Sequence, residues 1–396
     1  MRSFYFILAL IISVNVSFAQ NLIPFRKGDK WGYVNKAKKV IINFKYDNAN
    51  PFSEGLAAVE MNGRVGFIDE TGELVIPFQY SKLIEDFENG LAKVLKGNDL
   101  GMINTKGKEV VKFGEYDKIS SWNGDLAPVF KNGLWGFINK SGREVIKVQY
   151  QSVPFARIFT EVAPIICVKK RNKWGYIDRK GKVVVPFAYE DALWFTEGMG
   201  AVKLNDKWGF INGQGMIVIP FKYEDVDHFS EGRAAVRLNE RWGYIDKKGN
   251  RITEFEYDLP VVKFSGGYAM VNQDGKIGFI DKSGNEIIKP RYDFGGPFVN
   301  GYAVVGDKGQ AGVINTDGKT IVPFYYDKMS EFFGNGLIKV YKNGKYGLVS
   351  IDNKQVTDIK YDRIGTPLSN MNNGLIEVRV KGVRGFIDPN GNEYFE

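Results

Sequence analysis

A short motif recurs along the whole chain at a nearly fixed spacing, and this recurrence constrains the fold more than any other feature. The motif is an aromatic or apolar residue followed by glycine, as in Trp208-Gly209. The glycine occurs eleven times, in steps of 34 to 39 residues. Such a period is typical of repeat architectures, which grow unit by unit without one central core. The glycines are Gly32, Gly66, Gly101, Gly136, Gly175, Gly209, Gly243, Gly278, Gly312, Gly347 and Gly385.

Each repeat unit contains three short segments with strand character. In the second unit these are strand A at 56–60, strand B at 65–69 and strand C at 73–78. Short β-branched and aromatic runs separated by Gly, Asn and Asp are typical of strands joined by tight turns. The sequence therefore predicts an all-β fold of about eleven three-stranded meanders. The units start near residues 22, 56, 91, 126, 162, 198, 232, 268, 302, 337 and 375.

The number of units bears on how the array is arranged. Eleven units exceed the usual 4–8 blades of a β-propeller, and about 35 residues are few for a four-stranded blade. We therefore expect an open, curved or superhelical array. A β-propeller, or two propeller-like halves, is the alternative.

The turn between strands B and C has its own signature, an Asp or Asn followed three positions later by Gly, as at Asp69 and Gly72. The acidic or amide side chain can bond the backbone two residues on, and glycine accepts the left-handed conformation. Lys38 departs from this pattern. Each turn offers too few oxygen side chains for calcium, which takes 6–8 oxygen ligands. We predict no metal site.

The residue before the repeated glycine is tryptophan in five units and mostly apolar in the others. This substitution pattern favours packing, since tryptophan has a large area to bury. A row of exposed rings that stack on sugars is the alternative. A glycine inside a strand suggests the close approach of another backbone or ring. The predicted structural positions are Trp31, Gly32, Trp135, Gly136, Trp174, Gly175, Trp208, Gly209, Trp242 and Gly243.

The segment 173–191 reads Lys-Trp-Gly-Tyr-Ile-Asp, then Gly-Lys-Val-Val-Val-Pro-Phe and a final Tyr-Glu-Asp. This pattern resembles the bacterial WG (KWG) repeat family, and the resemblance extends over residues 22–396. It implies a β-repeat protein, often exported and presumed to bind other molecules. It implies no catalytic residues and no cofactor.

The first residues resemble a secretory signal peptide. Arg2 precedes the apolar run 4–14, and Ser17 and Ala19 are small residues before a cleavage point. The apolar run is about half of the ~20 residues that a membrane span needs. We predict a signal peptide at 1–19, a repeat array at 20–396, and an exported protein, periplasmic or extracellular, without a membrane span after signal removal.

Composition excludes several functions. The net charge of +8 is dispersed, without a block of five like charges, so nucleic-acid binding is not expected. One cysteine, Cys167, and one histidine, His228, exclude a Cys/His zinc site and an internal disulfide. Cys167 lies in an apolar run and is expected to be buried. Carboxylates fall on repeated turn positions, which indicates turn formation rather than catalysis.

The sequence therefore favours a non-catalytic scaffold for a protein or envelope polymer over an enzyme. The alternative is a glycan-binding module that uses Trp and Tyr faces. The segments between strands C and A are predicted to be loops that carry binding residues. Insertions at 151–166 and 363–373 lengthen two of these segments. The candidate residues are Phe155, Arg157, Asp191, Trp194, Asp225 and His228.

Overall fold

The computed structural model describes residues 22–154, 165–258, 263–332, 336–367 and 374–396. These residues form eleven small antiparallel sheets of three or four strands, one for each unit. The predicted all-β repeat array is confirmed. Among these residues, no helix has the length and apolar character needed to cross a membrane.

The strands follow the order A, B, C in every unit. Strands A are Ile23–Lys27, Leu56–Met61, Leu91–Lys96, Leu126–Lys131, Ile165–Lys170, Met199–Leu204, Arg233–Leu238, Tyr268–Gln273, Tyr302–Asp307, Leu337–Lys342 and Ile376–Val380. Strands B are Lys30–Val34, Arg64–Asp69, Asp99–Asn104, Leu134–Asn139, Lys173–Asp178, Lys207–Asn212, Arg241–Asp246, Lys276–Asp281, Gln310–Asn315, Lys345–Ser350 and Val383–Ile387. Strands C are Val40–Tyr46, Leu74–Tyr80, Glu109–Val111, Glu144–Tyr150, Val183–Tyr189, Ile217–Tyr223, Glu286–Tyr292 and Thr320–Tyr326. In units 7, 10 and 11, strand C is reduced to isolated bridges such as Trp242 to Tyr257.

A fourth, short strand precedes strand A in most units and pairs with it. These connector strands are Asn48–Ala49, Lys82–Glu88, Lys118–Ile119, Asp191–Ala192, Asp225–Val226, Phe294–Gly295, Lys328–Phe332 and Arg363–Pro367. The segments between strands C and A were predicted to be loops. This prediction is wrong for their first residues, which form the connector strands in these eight units. The physical reason is that strand A has a free edge, and the incoming chain satisfies its backbone groups.

In eight of the sheets strand B lies between strands A and C, and strand C is the outer edge; in units 7, 10 and 11 the middle strand is strand A. In unit 6, Trp208, Gly209, Phe210 and Ile211 are all buried. Strand C of the same unit instead alternates between exposed and buried residues. A strand buried on both faces reads as a continuous apolar run, whereas a strand with one face in solvent alternates. The WG motif thus marks the strand that is covered by neighbouring units on both faces.

The B–C turns have the predicted geometry and also connect the units. Asp69 Oδ1 accepts from the backbone N–H of Thr71 at 2.9 Å and of Glu73 at 3.0 Å. Gly72 has a φ of +90° and lies against Ile42 in strand C of the preceding unit. Lys38, the departure from the glycine pattern, takes the left-handed conformation itself, with a φ of 59°.

The turns that introduce strand A are hydrogen-bonded from one unit to the next. The Ser53 hydroxyl donates to the carbonyl oxygen of Phe87 at 2.6 Å, and Ser230 repeats this bond to Phe264 at 2.7 Å. The Glu54 carboxylate accepts from the backbone N–H of Gly90 at 2.7 Å. The recurring Phe-Ser-Glu-Gly sequence therefore links neighbouring units, in addition to forming a turn.

The two ends of the array meet. Phe395 forms a parallel bridge with Arg26, and the Glu396 N–H donates to the Arg26 carbonyl at 3.0 Å. The Trp31 and Phe386 rings lie 6.0 Å apart at an edge-to-face angle, in a core shared by the first and last units. The array therefore returns on itself, which is the closed arrangement held above as the alternative to an open one.

Candidate functional site

Four of the five WG tryptophans are buried between units. Trp31, Trp135, Trp208 and Trp242 have exposed fractions of 3 to 7%. Trp174 in unit 5 is only partly buried. A buried ring has no free face for a ligand, so the tryptophans do not form a continuous row for stacking.

The glycines of the motif allow strand C to pass closely over strand B. A Cβ atom added to Gly209 would lie 2.7 Å from the carbonyl oxygen of Ile219. Real Cβ atoms essentially never come that close to another atom. The same short approach, between 2.4 and 2.8 Å, holds at the other predicted positions. Their role in the structure is therefore to admit a neighbouring backbone or ring. These positions are Gly32, Gly136, Gly175 and Gly243.

The candidate residues Asp191 and Asp225 stand at equivalent places, each at the start of a connector strand. Asp191 Oδ1 accepts from the N–H of Ala192 at 2.8 Å, and Asp225 Oδ1 accepts from that of Val226 at 2.9 Å. Each carboxylate thus bonds the following backbone N–H of its own connector strand. Phe155 and Arg157 lie outside the described residues.

Trp194 and His228 belong to adjacent units, and the structure brings them together. Their rings stack with centroids 3.8 Å apart and planes tilted by 29°. The Asp227 carboxylate accepts from the His228 backbone N–H at 2.7 Å and lies 2.9 Å from its Nδ1. Burial opposes ionisation of Asp227, but the bonds to His228 lower its pKa overall. The acid and imidazole are therefore held together beneath an indole ring.

Cys167 is a packing residue. Its side chain is buried in a core with Tyr176 and Val185, and burial raises the pKa of the thiol far above its ordinary value. A thiolate is the reactive form of cysteine. The geometry therefore agrees with the expectation of a buried apolar role.

The hairpin between strands A and B is capped by an acid that the sequence reasoning missed. In unit 2, Asp47 accepts from the turn N–H of Asn62 at 2.7 Å, and in unit 6 Glu190 accepts from Asn205 at 3.1 Å and Asp206 at 3.0 Å. Eight units share this arrangement. The signal available in the sequence was an acid directly after the last Tyr or equivalent residue of strand C. The capping acids are Asp47, Asp117, Glu190, Glu224, Asp258, Asp293, Asp327 and Asp362.

Unit 5 replaces the capping acid with an amide. Gln151 Oε1 accepts from the Asn172 N–H at 2.7 Å, and Gln151 Nε2 donates to the Asn172 side chain at 3.1 Å. The hairpin below this cap reads Lys169-Lys170-Arg171-Asn172-Lys173. The most basic A–B hairpin of the chain is therefore capped without a carboxylate.

A second unusual surface lies on the outer edge of several sheets. Large apolar side chains around the start of strand C are exposed in units 1, 2, 4, 5 and 6 and reach 60% exposure at Met216, directly before strand C of unit 6. Single exposed apolar residues are ordinary, but exposed apolar residues that recur around the start of strand C in several units indicate an interaction surface. We call this set the apolar row. Its members are Val40, Leu74, Val75, Val145, Val183, Met216, Ile217 and Val218.

A polar cluster occupies the place where the ends of the array meet. The Arg384 guanidinium replaces a WG tryptophan, donates to Asn48 Oδ1 at 2.7 Å and lies 5.3 Å from the Trp31 ring centroid. Nearby, burial raises the pKa of Asp86 to about 6, while a hydrogen bond from Asn50 and the charge of Arg384 oppose the shift. These residues were not predicted as a group, since 336 positions separate Asn48 from Arg384.

The candidate residues provide no metal centre. Within the described parts of the chain, no group of three or more His, Cys, Asp or Glu side chains is placed to hold a metal ion.

The sequence profile of the WG-containing repeat matches nine times between residues 31 and 346. Each match spans about one unit, from one WG position to the next. The chain belongs to the WG-repeat family. No curated protein matches it.

Solved structures resemble the chain only distantly. A eukaryotic initiation factor shares 11% identity at a TM-score of 0.41, over 76% of this chain and 95% of that one. The extracellular domain of a putative hybrid two-component system from B. thetaiotaomicron shares 10% identity at a TM-score of 0.25, over 93% of this chain and 61% of that one. PorZ, a surface component of the type-IX secretion system of Porphyromonas gingivalis, shares 11% identity at a TM-score of 0.24, over 92% of this chain and 63% of that one.

Proposed function

We propose that this protein is an exported, non-catalytic scaffold that binds a protein partner through the apolar row. The observation that carries the proposal is the exposure of Val183, Met216, Ile217 and Val218 on the neighbouring units 5 and 6. Exposed apolar side chains that are close together on neighbouring units lower solubility, and a partner that covers them removes that cost.

The mode of binding follows from the prolines of the same strands. Pro186 and Pro220 lie in the outer strands C of units 5 and 6. Proline has no backbone N–H, and it protects an edge strand against pairing with another strand. A partner would therefore contact the side chains of the row rather than extend the sheet.

Two features support a binding role over the alternatives. Burial of four WG tryptophans weakens the proposal of a glycan module built on a row of rings. The acid–imidazole pair Asp227 and His228 is covered by the stacked ring of Trp194, which leaves little room for a substrate. Export remains a prediction from the signal-peptide pattern of residues 1–19.

The test uses a photo-crosslinking amino acid at position 217 in cells that produce the protein. Thr320 starts strand C of unit 9 in the same register and is exposed, so position 320 is the matched control. We expect a discrete protein adduct from position 217 and none from position 320. The adduct from position 217 should be lost in the Val183→Lys variant, while the unfolding midpoint of that variant stays the same.

Equal labelling from both positions, or no adduct at 217, would contradict the apolar row as the binding face. Release of soluble fragments from an envelope polymer by the purified protein would contradict the non-catalytic role. A Thr320→Lys variant checks that an added charge at this register does not itself disturb folding.

A further inference from the structure

We propose that the A–B hairpin of unit 5 is a binding site for an acidic polysaccharide. The site consists of Lys169, Lys170, Arg171, Lys173 and the partly exposed ring of Trp174. It rests on the proposed function only in assuming that the scaffold binds other macromolecules, and it lies apart from the apolar row.

The cations of the unit 5 hairpin lack the ion pairs that are found in several other units. In several other units at least one basic residue of the hairpin is paired with a nearby acid: Lys30 lies 2.6 Å from Asp47, and Lys276 lies 2.6 Å from Asp293. Within the described residues, none of the four cations of unit 5 has a carboxylate within ion-pair distance. Unpaired cations on one hairpin create a local positive potential that attracts an anion.

The cap of the unit 5 hairpin is neutral. A carboxylate at position 151 would satisfy the turn as it does in eight other units, and it would lower the repulsion among the four cations. Gln151 keeps the hydrogen bond to the Asn172 N–H without adding negative charge. The hairpin therefore retains its fold and its full positive charge together.

An aromatic ring lies beside these cations. Trp174 is the one WG tryptophan that is not fully buried, and the Lys169 ammonium lies 5.8 Å from its centroid. An indole presents an apolar face on which the C–H face of a sugar ring can stack. A flat ring beside several cations suits a polymer that carries both sugar faces and carboxylates.

The neighbouring lysine is positioned in a similar way. The Lys170 ammonium lies 5.9 Å from the Tyr150 ring and donates to Gln149 Oε1 at 2.6 Å. Neither contact neutralises its charge. Both lysines are therefore held in place while remaining available for electrostatic attraction.

The experiment measures binding of the mature protein to polygalacturonate, with the fully methyl-esterified polymer as the neutral control. We expect binding to the acid polymer, weakening as salt increases because exposed charges are screened. The ester should not bind. Binding should fall about tenfold or more in a K169Q/K170Q/R171Q variant, since each exposed charge pair contributes a few-fold.

Three variants make the test specific. Gln151→Glu introduces the acidic cap found in eight other units. It should weaken binding several-fold and leave the unfolding midpoint unchanged. Trp174→Ala should weaken binding, with circular dichroism confirming that the array remains folded. In unit 6, Lys203→Gln with Lys207→Gln removes two cations from an acid-capped hairpin and should leave binding unchanged.

Several outcomes would overturn the proposal. If the wild type does not bind the polymer, or if the unit 6 control variant loses as much binding as the unit 5 variant, unit 5 is not the site. Equal binding of a single-stranded oligonucleotide, unaffected by Trp174→Ala, would indicate unspecific attraction of any polyanion. Since the apolar row is tested by crosslinking at position 217, either idea can fail while the other stands.

Discussion

Units 5 and 6 are neighbours with nearly the same motif, Lys-Trp-Gly followed by an aromatic residue and Ile, yet they present different surfaces. In unit 6 the ring of Trp208 is 7% exposed, and Glu190 caps the hairpin. In unit 5 the ring of Trp174 is partly exposed, and Gln151 caps the hairpin. The shared motif therefore fixes the sheet, while the residues beside it decide what the surface can bind.

This contrast shows how a repeat protein can specialise without an added domain. Every unit supplies the glycine of strand B and a left-handed turn, and nine units also cap the A–B hairpin with an acid or an amide. Those demands leave the charge of the cap free to vary, because an amide oxygen accepts the same backbone N–H as a carboxylate. In unit 5 the cap is the neutral amide of Gln151.

The largest expected difference between the two units is the stability cost of removing the ring. Trp208→Ala should destabilise the protein by about 3–5 kcal/mol, because a buried indole leaves a cavity. Trp174→Ala should cost less, about 1–2 kcal/mol, since less area is buried there. Urea unfolding followed by circular dichroism measures both. Equal costs would mean that Trp174 is packed as fully as Trp208.

Exchanging the caps should change the free energy of unfolding less than removing the rings does, and the two exchanges should differ in size. Glu190→Gln weakens charge-assisted bonds to two turn N–H groups and should cost roughly 0.5–1 kcal/mol. Gln151→Glu should change stability by about 0.5 kcal/mol or less, since it adds an attraction to the lysines and removes one amide bond. Thermal unfolding of the two variants measures the difference. A marked destabilisation by Gln151→Glu would show that the amide is required for folding.

The smallest effect is expected on acidification. The Lys30 hydrogen bond and the Asn62 N–H lower the pKa of Asp47 below its ordinary value of 3.8. A lowered folded-state pKa means that the stabilisation is present above the unfolded pKa and is lost as the pH falls through the folded pKa. The Asn62 amide resonance should therefore shift below pH 4, whereas the Asn172 amide, held by Gln151, should not shift in that range. An Asn172 shift that matches that of Asn62 would place another acid at the unit 5 cap.

Much of the unit could be predicted from the sequence, because its constraints are local. The Asp-to-Gly turn and the glycine of the WG motif each reflect a steric requirement within a few residues or one neighbouring strand. Five of the eight connector strands have only two residues, such as Asp191–Ala192, and are too short to show an alternating pattern. Their pairing depends on a free edge that only the assembled sheet reveals.

The candidate surfaces were harder to predict. Gln151 is visible in the sequence, but its meaning depends on the capping bond to Asn172 across 21 positions. The apolar row looks like ordinary strand composition until strand C is found to be the outer edge. Trp194 and His228 were singled out separately, and only the packing of two units brings their rings into contact.

The meeting of the ends has a consequence for how such a protein can evolve. An open solenoid can gain or lose a unit by unequal recombination and keep all its remaining contacts. Here the pairing of Phe395 with Arg26 and the core shared by Trp31 and Phe386 require that the summed curvature bring the last unit back to the first. A duplicated or deleted unit would separate those surfaces, so selection can change the surface of a unit more readily than the number of units.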